Sequence, residues 1–244
     1  MTGAPHPVLA ERRAIVVGDD ELGIGIAARL TQAGAAVRLV GCSEGSTPIG
    51  PALRAGVTEL TGIDILVLNV LPAAHPAALD ATTRQTLDTA LARVTLACEA
   101  MQEAFPHLRA RGGRIIFVGH RYGETVNEGL AAYNAAACAL VGLTRSAALD
   151  WGPHQITTNL VLPLAWTGEL RAARERRPRI IDLLLSQLPL RRAGDPADDV
   201  GGAVVFLASD DAGFINGEIV HADGGQHVAG PVLDPIRFVA PPRV

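Results

Sequence analysis

The stretch AAYNAAACALVGLTRSAALDWG occupies residues 131–152 and contains no proline. Small residues dominate it, among them Ala135 and Gly142. This composition predicts a long helix that a neighbouring helix can approach closely. The stretch also raises a chemical question, because Tyr133 is followed four residues later by Ala137 and not by a basic residue.

Short apolar runs rich in β-branched residues lie on both sides of this helix, and each predicts a buried strand. The runs are RAIVVG (13–18), AVRLVG (36–41), DILVLNV (64–70), GRIIFVG (113–119), ITTNLVLP (156–163) and GEIVHADGG (217–225). Segments with a helical pattern separate them, at Gly23–Gly34, Thr82–Arg111 and Pro196–Ser209. Strands that alternate with helices and are apolar on both faces predict an α/β protein, with a Rossmann-like, doubly wound parallel sheet.

The whole chain, residues 1–244, is predicted to form a single domain with an irregular, proline-rich tail over residues 226–244. No apolar run reaches transmembrane length and no signal peptide is visible, so we expect a cytoplasmic protein that contacts no membrane. The net charge of −4 argues against a nucleic-acid partner. The three cysteines are scattered without metal-ligand spacing, and no metal site is expected.

All 21 basic residues are arginine, so chemistry that needs a lysine amine is excluded anywhere in the chain. Five arginines make the segment Trp166–Gly194 locally basic. They are Arg171, Arg174, Arg176, Arg177 and Arg179. A solvated helix face explains this cluster, and attraction of an anionic substrate such as a CoA ester is the alternative.

The segment GDDELGIG, Gly18–Gly25, joins the first predicted strand to the first helix and carries Asp19, Asp20 and Glu21. Acidic side chains at a helix N-terminus satisfy its free N–H groups and its dipole. A metal-binding acidic cluster is the alternative, but no fourth ligand is suggested nearby. We therefore expect these residues to cap the helix.

The order of these segments, nearly from end to end, resembles the short-chain dehydrogenase/reductase family. The motifs that carry the resemblance are GIG (23–25), DILVLN (64–69), GGRIIFVG (112–119), AAYNAAACALVGLTRSAALDW (131–151), NLVLP (159–163), LPLRRAGDPADDVGGAVVFLASD (188–210) and NGEIVHADGG (216–225). The resemblance implies transfer of a hydride between NAD(P) and a carbonyl compound or an alcohol.

The resemblance also implies four catalytic groups, of which this chain keeps one. The tyrosine is Tyr133, and the lysine that would lower its pKa is replaced by Ala137. The serine that orients the carbonyl falls on His120, and the asparagine of the proton relay falls on Val94. A tyrosine without a neighbouring cation is a poor base near neutral pH.

The cofactor site that the resemblance implies is eroded as well, so we expect no cofactor-binding residue in this chain. The first glycine of the phosphate turn falls on Asp19, unless a loop one residue longer keeps Gly18 in that role. Gly41 ends the second strand, where NAD enzymes place an aspartate. Only residues 42–63 separate this strand from the Asp64–Val70 strand, which leaves room for one short helix or a cut-down strand and shortens the fold there.

Together these features resemble the non-catalytic subunit of a hetero-oligomeric dehydrogenase, expected as a heterotetramer. A catalytically active paralogue of the same family would bind NAD(P) and act on an alcohol or ketone, for example a hydroxyacyl-CoA-type substrate. The two long helices would form the interface with this partner. Two alternatives stay open: altered acid–base chemistry by Tyr133 and His120, which would be neighbours in such a fold, or a ligand-binding regulator.

Overall fold

The computed structural model describes residues 7–42 and 48–229. Six parallel strands form one sheet in the order β2-β1-β3-β4-β5-β6. The strands are β1 (Arg13–Val17), β2 (Ala36–Val40), β3 (Ile65–Asn69), β4 (Gly113–Val118), β5 (Ile156–Pro163) and β6 (Ile219–Ala222). The four central strands are almost fully buried, as expected for a parallel sheet covered by helices on both faces.

Seven α-helices flank the sheet within the described residues. They are α1 (Glu21–Gln32), α2 (Ile49–Glu59), α3 (Arg84–Leu108), α4 (Ala131–Trp151), α5 (Gly168–Arg176), α6 (Pro178–Gln187) and α7 (Gly202–Ala208). Helices α2, α3 and α4 share an apolar core with one face of the sheet, and α1 and α7 share a second core with the other face. This three-layer arrangement confirms the predicted Rossmann-like α/β fold.

The predicted helices are present, and they differ from expectation mainly at their ends. Helix α1 begins at Glu21, two residues before the predicted start, because Asp20 caps it. Helix α3 is shorter than predicted and ends at Leu108. The helix predicted over 196–209 begins instead as a π-helical turn, Pro196–Gly201, which is capped by the Asp195 carboxylate and leads into α7.

The connection between β2 and β3 is short, as the sequence predicts. Its described part contains one helix, α2, and residues 43–47 lie outside the described residues. Strand β3 pairs directly with β1, from Ala14 opposite Ile65 to Val17 opposite Leu68, and β2 forms the edge of the sheet. Of the two predicted possibilities for this connection, the structure contains the short helix.

Two further expectations concern the tail and the membrane. Of the predicted irregular tail, only residues 226–229 are described, and Gln226–Val228 forms a single 3₁₀ turn. The rest of that tail lies outside the described residues. In the ranges 7–42 and 48–229, no helix is long and apolar enough to cross a membrane.

Candidate functional site

A cavity of about 520 Å³ opens at the carboxyl ends of β3, β4 and β5. Its walls are mostly apolar. They include Leu22, Leu71, Pro72, Ala73, Pro163, Leu164, Ala165 and Leu170. Ligands of open α/β sheets bind at the carboxyl ends of the strands, so this cavity is the candidate site.

Tyr133 and His120 both line this cavity, which brings together the two side chains that the sequence singled out. Tyr133 lies in the first turn of α4, and His120 follows the end of β4. Their ring centroids are 5.6 Å apart and the rings are nearly perpendicular. Tyr122 contacts both rings, with centroid distances of 4.2 Å to His120 and 6.0 Å to Tyr133. We call these three residues the aromatic cluster.

Burial sets the protonation state of the cluster. It lowers the pKa of His120 to about 3, with a smaller effect from the neighbouring charge of Arg121. Burial also raises the pKa of Tyr133, and the carboxylate of Glu169 raises it further. Both side chains are therefore neutral near neutral pH. Because His120 Nδ1 accepts a hydrogen bond from Tyr122 N at 3.4 Å, the proton of the neutral imidazole lies on Nε2.

Ala137, which stands where the resemblance places a lysine, is buried in an apolar environment. It belongs to a cluster with Tyr122, Leu130 and Tyr133. The chain at Gly123 also approaches it closely, since a Cβ atom on Gly123 would lie 3.0 Å from the Ala137 carbonyl oxygen. This turn of α4 therefore offers no cation that could stabilise a tyrosinate.

Val94, at the position of the asparagine, does not line the cavity. It packs with Leu87 against three buried alanines of α3 and α4. These are Ala90, Ala132 and Ala136. Of the four positions that the resemblance marks as catalytic, Tyr133 and His120 face the cavity, while Ala137 and Val94 lie in helix packing.

Asp20 holds the loop between β1 and α1 in place. Its Oδ1 atom accepts hydrogen bonds from Gly23 N at 2.8 Å and from Asn69 Nδ2 at 2.7 Å. Gly18 turns the chain with a φ of +115°, and a Cβ atom there would overlap the Asn69 carbonyl. The predicted capping role is confirmed and belongs to Asp20. Within the described residues, no three His, Cys, Asp or Glu side chains are placed to hold a metal ion.

Helix α5 contacts the start of α1 through an ion pair between Arg171 and Glu21. A second ion pair joins Arg174 to Asp182 at 3.0 Å. Two of the five arginines of the basic segment are thus neutralised by carboxylates. This pairing favours the solvated-surface explanation of the cluster over attraction of an anionic substrate.

Three residues of the site were not singled out from the sequence. Asn69 ends β3 at the edge of the cavity, and Glu169 lies in the first turn of α5. Tyr122 is almost fully buried in the 3₁₀ turn that follows His120. The signal that could have found Tyr122 is its place two residues after His120, in the loop that leaves the sheet at its carboxyl edge.

Comparison with known proteins identifies the family. A sequence model described as "Enoyl-(Acyl carrier protein) reductase" matches residues 49–227, most of the chain. The 12alpha-hydroxysteroid dehydrogenase of Clostridium sp. is 30% identical over 191 residues, which are 78% of this chain and 74% of that protein. The chain belongs to the short-chain dehydrogenase/reductase family.

Other short-chain dehydrogenase/reductase proteins are similar over large parts of this chain. The 3-oxoacyl-[acyl-carrier-protein] reductase of Vibrio cholerae is 31% identical over 183 residues, 74% of this chain and 73% of that protein. The acetoacetyl-CoA reductase of Rhizobium meliloti is 38% identical over 124 residues, half of each chain. These relatives are reductases of the same family.

Two solved dehydrogenase structures share the fold over nearly their whole length. Aldohexose dehydrogenase of Thermoplasma acidophilum superimposes with a TM-score of 0.80 at 23% identity, and covers 95% of this chain and 100% of its own. Carveol dehydrogenase of Mycobacterium avium, solved in complex with NAD, gives a TM-score of 0.79 at 24% identity, with 91% and 99% covered. At these identities the similarity establishes the fold alone.

Proposed function

We propose that this short-chain dehydrogenase/reductase chain is a non-catalytic subunit of a hetero-oligomeric oxidoreductase, with a heterotetramer as the expected assembly. A catalytically active member of the same family binds NAD(P) in this assembly and interconverts an alcohol and a ketone. The names of two relatives, a 3-oxoacyl-[acyl-carrier-protein] reductase and an acetoacetyl-CoA reductase, support an acyl thioester as the class of substrate. The observation that carries the proposal is the hydrogen bonding of Asp20.

The pyrophosphate of a dinucleotide does not fit the residues at the start of α1. Dinucleotide-binding members of this fold class hold the pyrophosphate with backbone N–H groups at this helix end. Here the N–H group of Gly23 already donates to Asp20. Asp19 adds a further carboxylate, which repels a dianion, while Glu21 is paired with Arg171. Strand β2 forms the edge of the sheet, and α2 is the one described element between β2 and β3. This short connection supports the absence of a strand and helix that would contact the adenosine half of a dinucleotide.

The state of the aromatic cluster supports a non-catalytic role as well. A tyrosine that exchanges protons with a substrate needs a pKa near the working pH. Burial moves the pKa of Tyr133 upward, away from neutrality. His120 supplies no compensating positive charge, because burial keeps its imidazole neutral. The pair therefore lacks the cation that makes a tyrosine an effective acid–base catalyst.

The exposed face of α4 supports an assembly role. Cys138, Gly142, Ser146 and Leu149 recur at helical spacing and are exposed along this face. A Cβ atom on Gly142 would meet no atom within 4 Å, so the helix surface is open at its middle. Leu149 is 79% exposed on the same face. Small residues let a partner helix approach closely, and the leucine adds apolar area for it to cover.

The test is to purify this chain with its partner and to determine which of the two chains carries the NAD(P)-dependent activity. A tagged copy of this chain, purified from its native host, should retain a family member that carries the Tyr-x-x-x-Lys motif. NAD(P)-dependent turnover should be found in the complex and not in this chain alone. Tyr133→Phe and His120→Asn in this chain should leave the turnover of the complex unchanged.

The matched control is the Tyr→Phe change at the motif of the partner, which should abolish turnover. If Tyr133→Phe in this chain stops the reaction while the complex stays assembled, the non-catalytic proposal is wrong.

The adjacency of His120 and Tyr133 favours a second candidate, acid–base chemistry without a nicotinamide, such as dehydration or isomerisation. The Nε2–H group of a neutral His120 can donate a hydrogen bond to a substrate oxygen, and Tyr133 can do the same. This candidate predicts that the purified chain alone converts a substrate and that both single variants abolish the conversion. A silent chain with a functional complex would exclude it.

A further inference from the structure

A second cleft, of about 580 Å³, lies at the amino ends of the strands, whereas the candidate site lies at their carboxyl ends. Three arginines line it and come from two segments of the chain. They are Arg12 before β1, Arg111 before β4, and Arg114 within β4. Asp210, which follows α7, is the one carboxylate among the residues that line this cleft. Three positive charges therefore face one negative charge.

That single carboxylate is shared. Arg12 Nη2 lies 2.5 Å from Asp210 Oδ1, and Arg114 Nη2 lies 3.6 Å from the same oxygen. The neighbouring Arg13 is different, because both carboxylate oxygens of Asp64 accept hydrogen bonds from it, at 2.7 and 2.8 Å. This hydrogen bonding raises the pKa of Arg13. Burial lowers the pKa of Arg114 more than the charge of Asp210 raises it, and the charge of Arg12 lowers it further. The positive charge of the cleft is thus incompletely neutralised.

Two other residues, Thr157 and Phe214, line the cleft beside the arginines. Thr157 lies beside Arg114 in the register between β4 and β5 and is 7% exposed. Its hydroxyl has no hydrogen-bond partner among the described residues, which is rare for a buried polar group. Phe214, at the rim, is completely exposed.

We propose that this cleft is a binding site for a phosphomonoester that carries an aromatic group. A phosphomonoester has close to two negative charges at neutral pH, which matches the excess of positive charge on the cleft walls. The guanidinium groups of Arg12 and Arg111 can donate paired hydrogen bonds to phosphate oxygens. Arg114 contributes charge, because its Nε and Nη1 atoms already donate to the carbonyls of Ser209 and Gly113. The aromatic group lies against the ring of Phe214. The cleft lies at the amino ends of the strands and Asp20 lies at the carboxyl ends, so this proposal does not depend on the proposed subunit function.

The experiment is a calorimetric titration of the full chain with phenyl phosphate and, separately, with inorganic phosphate. We expect saturable binding of phenyl phosphate that is tighter than that of inorganic phosphate and that weakens with added salt. Arg111→Ala should weaken it about ten-fold, since one charge-assisted contact is lost. Asp210→Asn should tighten it, because the competing carboxylate is removed.

Arg179→Ala is the matched control, since it removes an exposed arginine that does not line the cleft. It should leave the affinity for phenyl phosphate unchanged. Equal losses in Arg111→Ala and Arg179→Ala would mean non-specific attraction and would overturn the proposal. No saturable binding up to about 10 mM would overturn it too, as would phenyl phosphate binding no tighter than inorganic phosphate. Circular dichroism confirms that each variant is folded.

Discussion

Asn69 Nδ2 donates a hydrogen bond to Asp20 Oδ1 at 2.7 Å and so ties the end of β3 to the N-terminus of α1. The same oxygen accepts the N–H group of Gly23. One carboxylate therefore caps α1, at the helix end where dinucleotide-binding folds receive a phosphate, and ties the loop between β1 and α1 to the end of β3. The negative charge at the N-terminus of α1 is therefore the carboxylate of Asp20, a side chain of the loop itself.

We expect Asp20→Ala to lower the free energy of unfolding by about 1–2 kcal/mol, because a helix cap and a side-chain hydrogen bond are lost together. Asp20→Asn keeps an acceptor oxygen for Gly23 and should cost less. Urea denaturation of both variants and the parent measures the difference. Equal stability of Asp20→Ala and the parent protein would show that the cap contributes nothing to the free energy of unfolding.

Introducing a lysine at the family position should not produce NAD(P)-dependent activity. Ala137 is 2% exposed and lies among apolar side chains, so Ala137→Lys places a cation where none can be solvated. We expect a loss of about 2–4 kcal/mol in the free energy of unfolding and no NAD(P)-dependent turnover by the chain alone. Ser146→Lys, on the exposed face of the same helix, is the control and should be nearly neutral. Turnover gained by Ala137→Lys would contradict the proposal that this chain is non-catalytic.

The desolvated imidazole of His120 should make stability depend on pH. In the unfolded chain its pKa is near the ordinary value of about 6.5, and in the folded chain it is about 3. Between these values the unfolded state binds a proton that the folded state does not, so the free energy of unfolding falls as the pH falls. The stabilising effect is fully present above the unfolded pKa.

His120→Asn keeps an acceptor for Tyr122 N and cannot titrate, so it isolates this effect. The stability of the parent protein should fall by about 2 kcal/mol more than that of the variant between about pH 7 and pH 5. Denaturation curves at a series of pH values give the comparison. Parallel pH profiles would mean that His120 is solvated well enough to be protonated in the folded state.

The face of α4 can be tested with a bulky side chain. Gly142→Trp adds a side chain where the structure has open space, so the isolated chain should fold normally. In the proposed assembly the same indole would block the approach of the partner helix, and the complex should dissociate. Thr58→Trp, at an exposed position of α2, is the control and should leave the complex intact. Light scattering on the co-expressed pair distinguishes the two. A complex that stays assembled with Gly142→Trp would contradict the assignment of the interface to this face of α4.

Much of the fold followed from local patterns in the sequence. Each central strand is a short β-branched run that is buried on both faces, and α4 is a long helix of small residues without proline, so both could be predicted. The missing segment between β2 and β3 was visible from chain length, because residues 42–63 are too few for a further strand with its crossover helix.

The details of the site depend on side-chain packing, and the sequence does not encode that locally. Three consecutive acidic residues fitted a helix cap equally well, and only the position of Asn69 at the end of β3 identifies Asp20 as the one that caps. Tyr122 became part of the site because the loop after β4 folds back on α4 at Gly123. The arginine cleft joins Arg12 to Asp210, residues 198 positions apart, and no pattern in the sequence relates them.

The most direct measurement is a calorimetric titration of the purified chain with NAD⁺, NADH, NADP⁺ and NADPH, with ligand up to about 1 mM. We predict no saturable binding of any of the four, because the carboxylate of Asp20 already holds the N–H group that a pyrophosphate needs. Saturable binding with a micromolar dissociation constant would contradict the non-catalytic proposal and would make Tyr133 and His120 parts of a working active site.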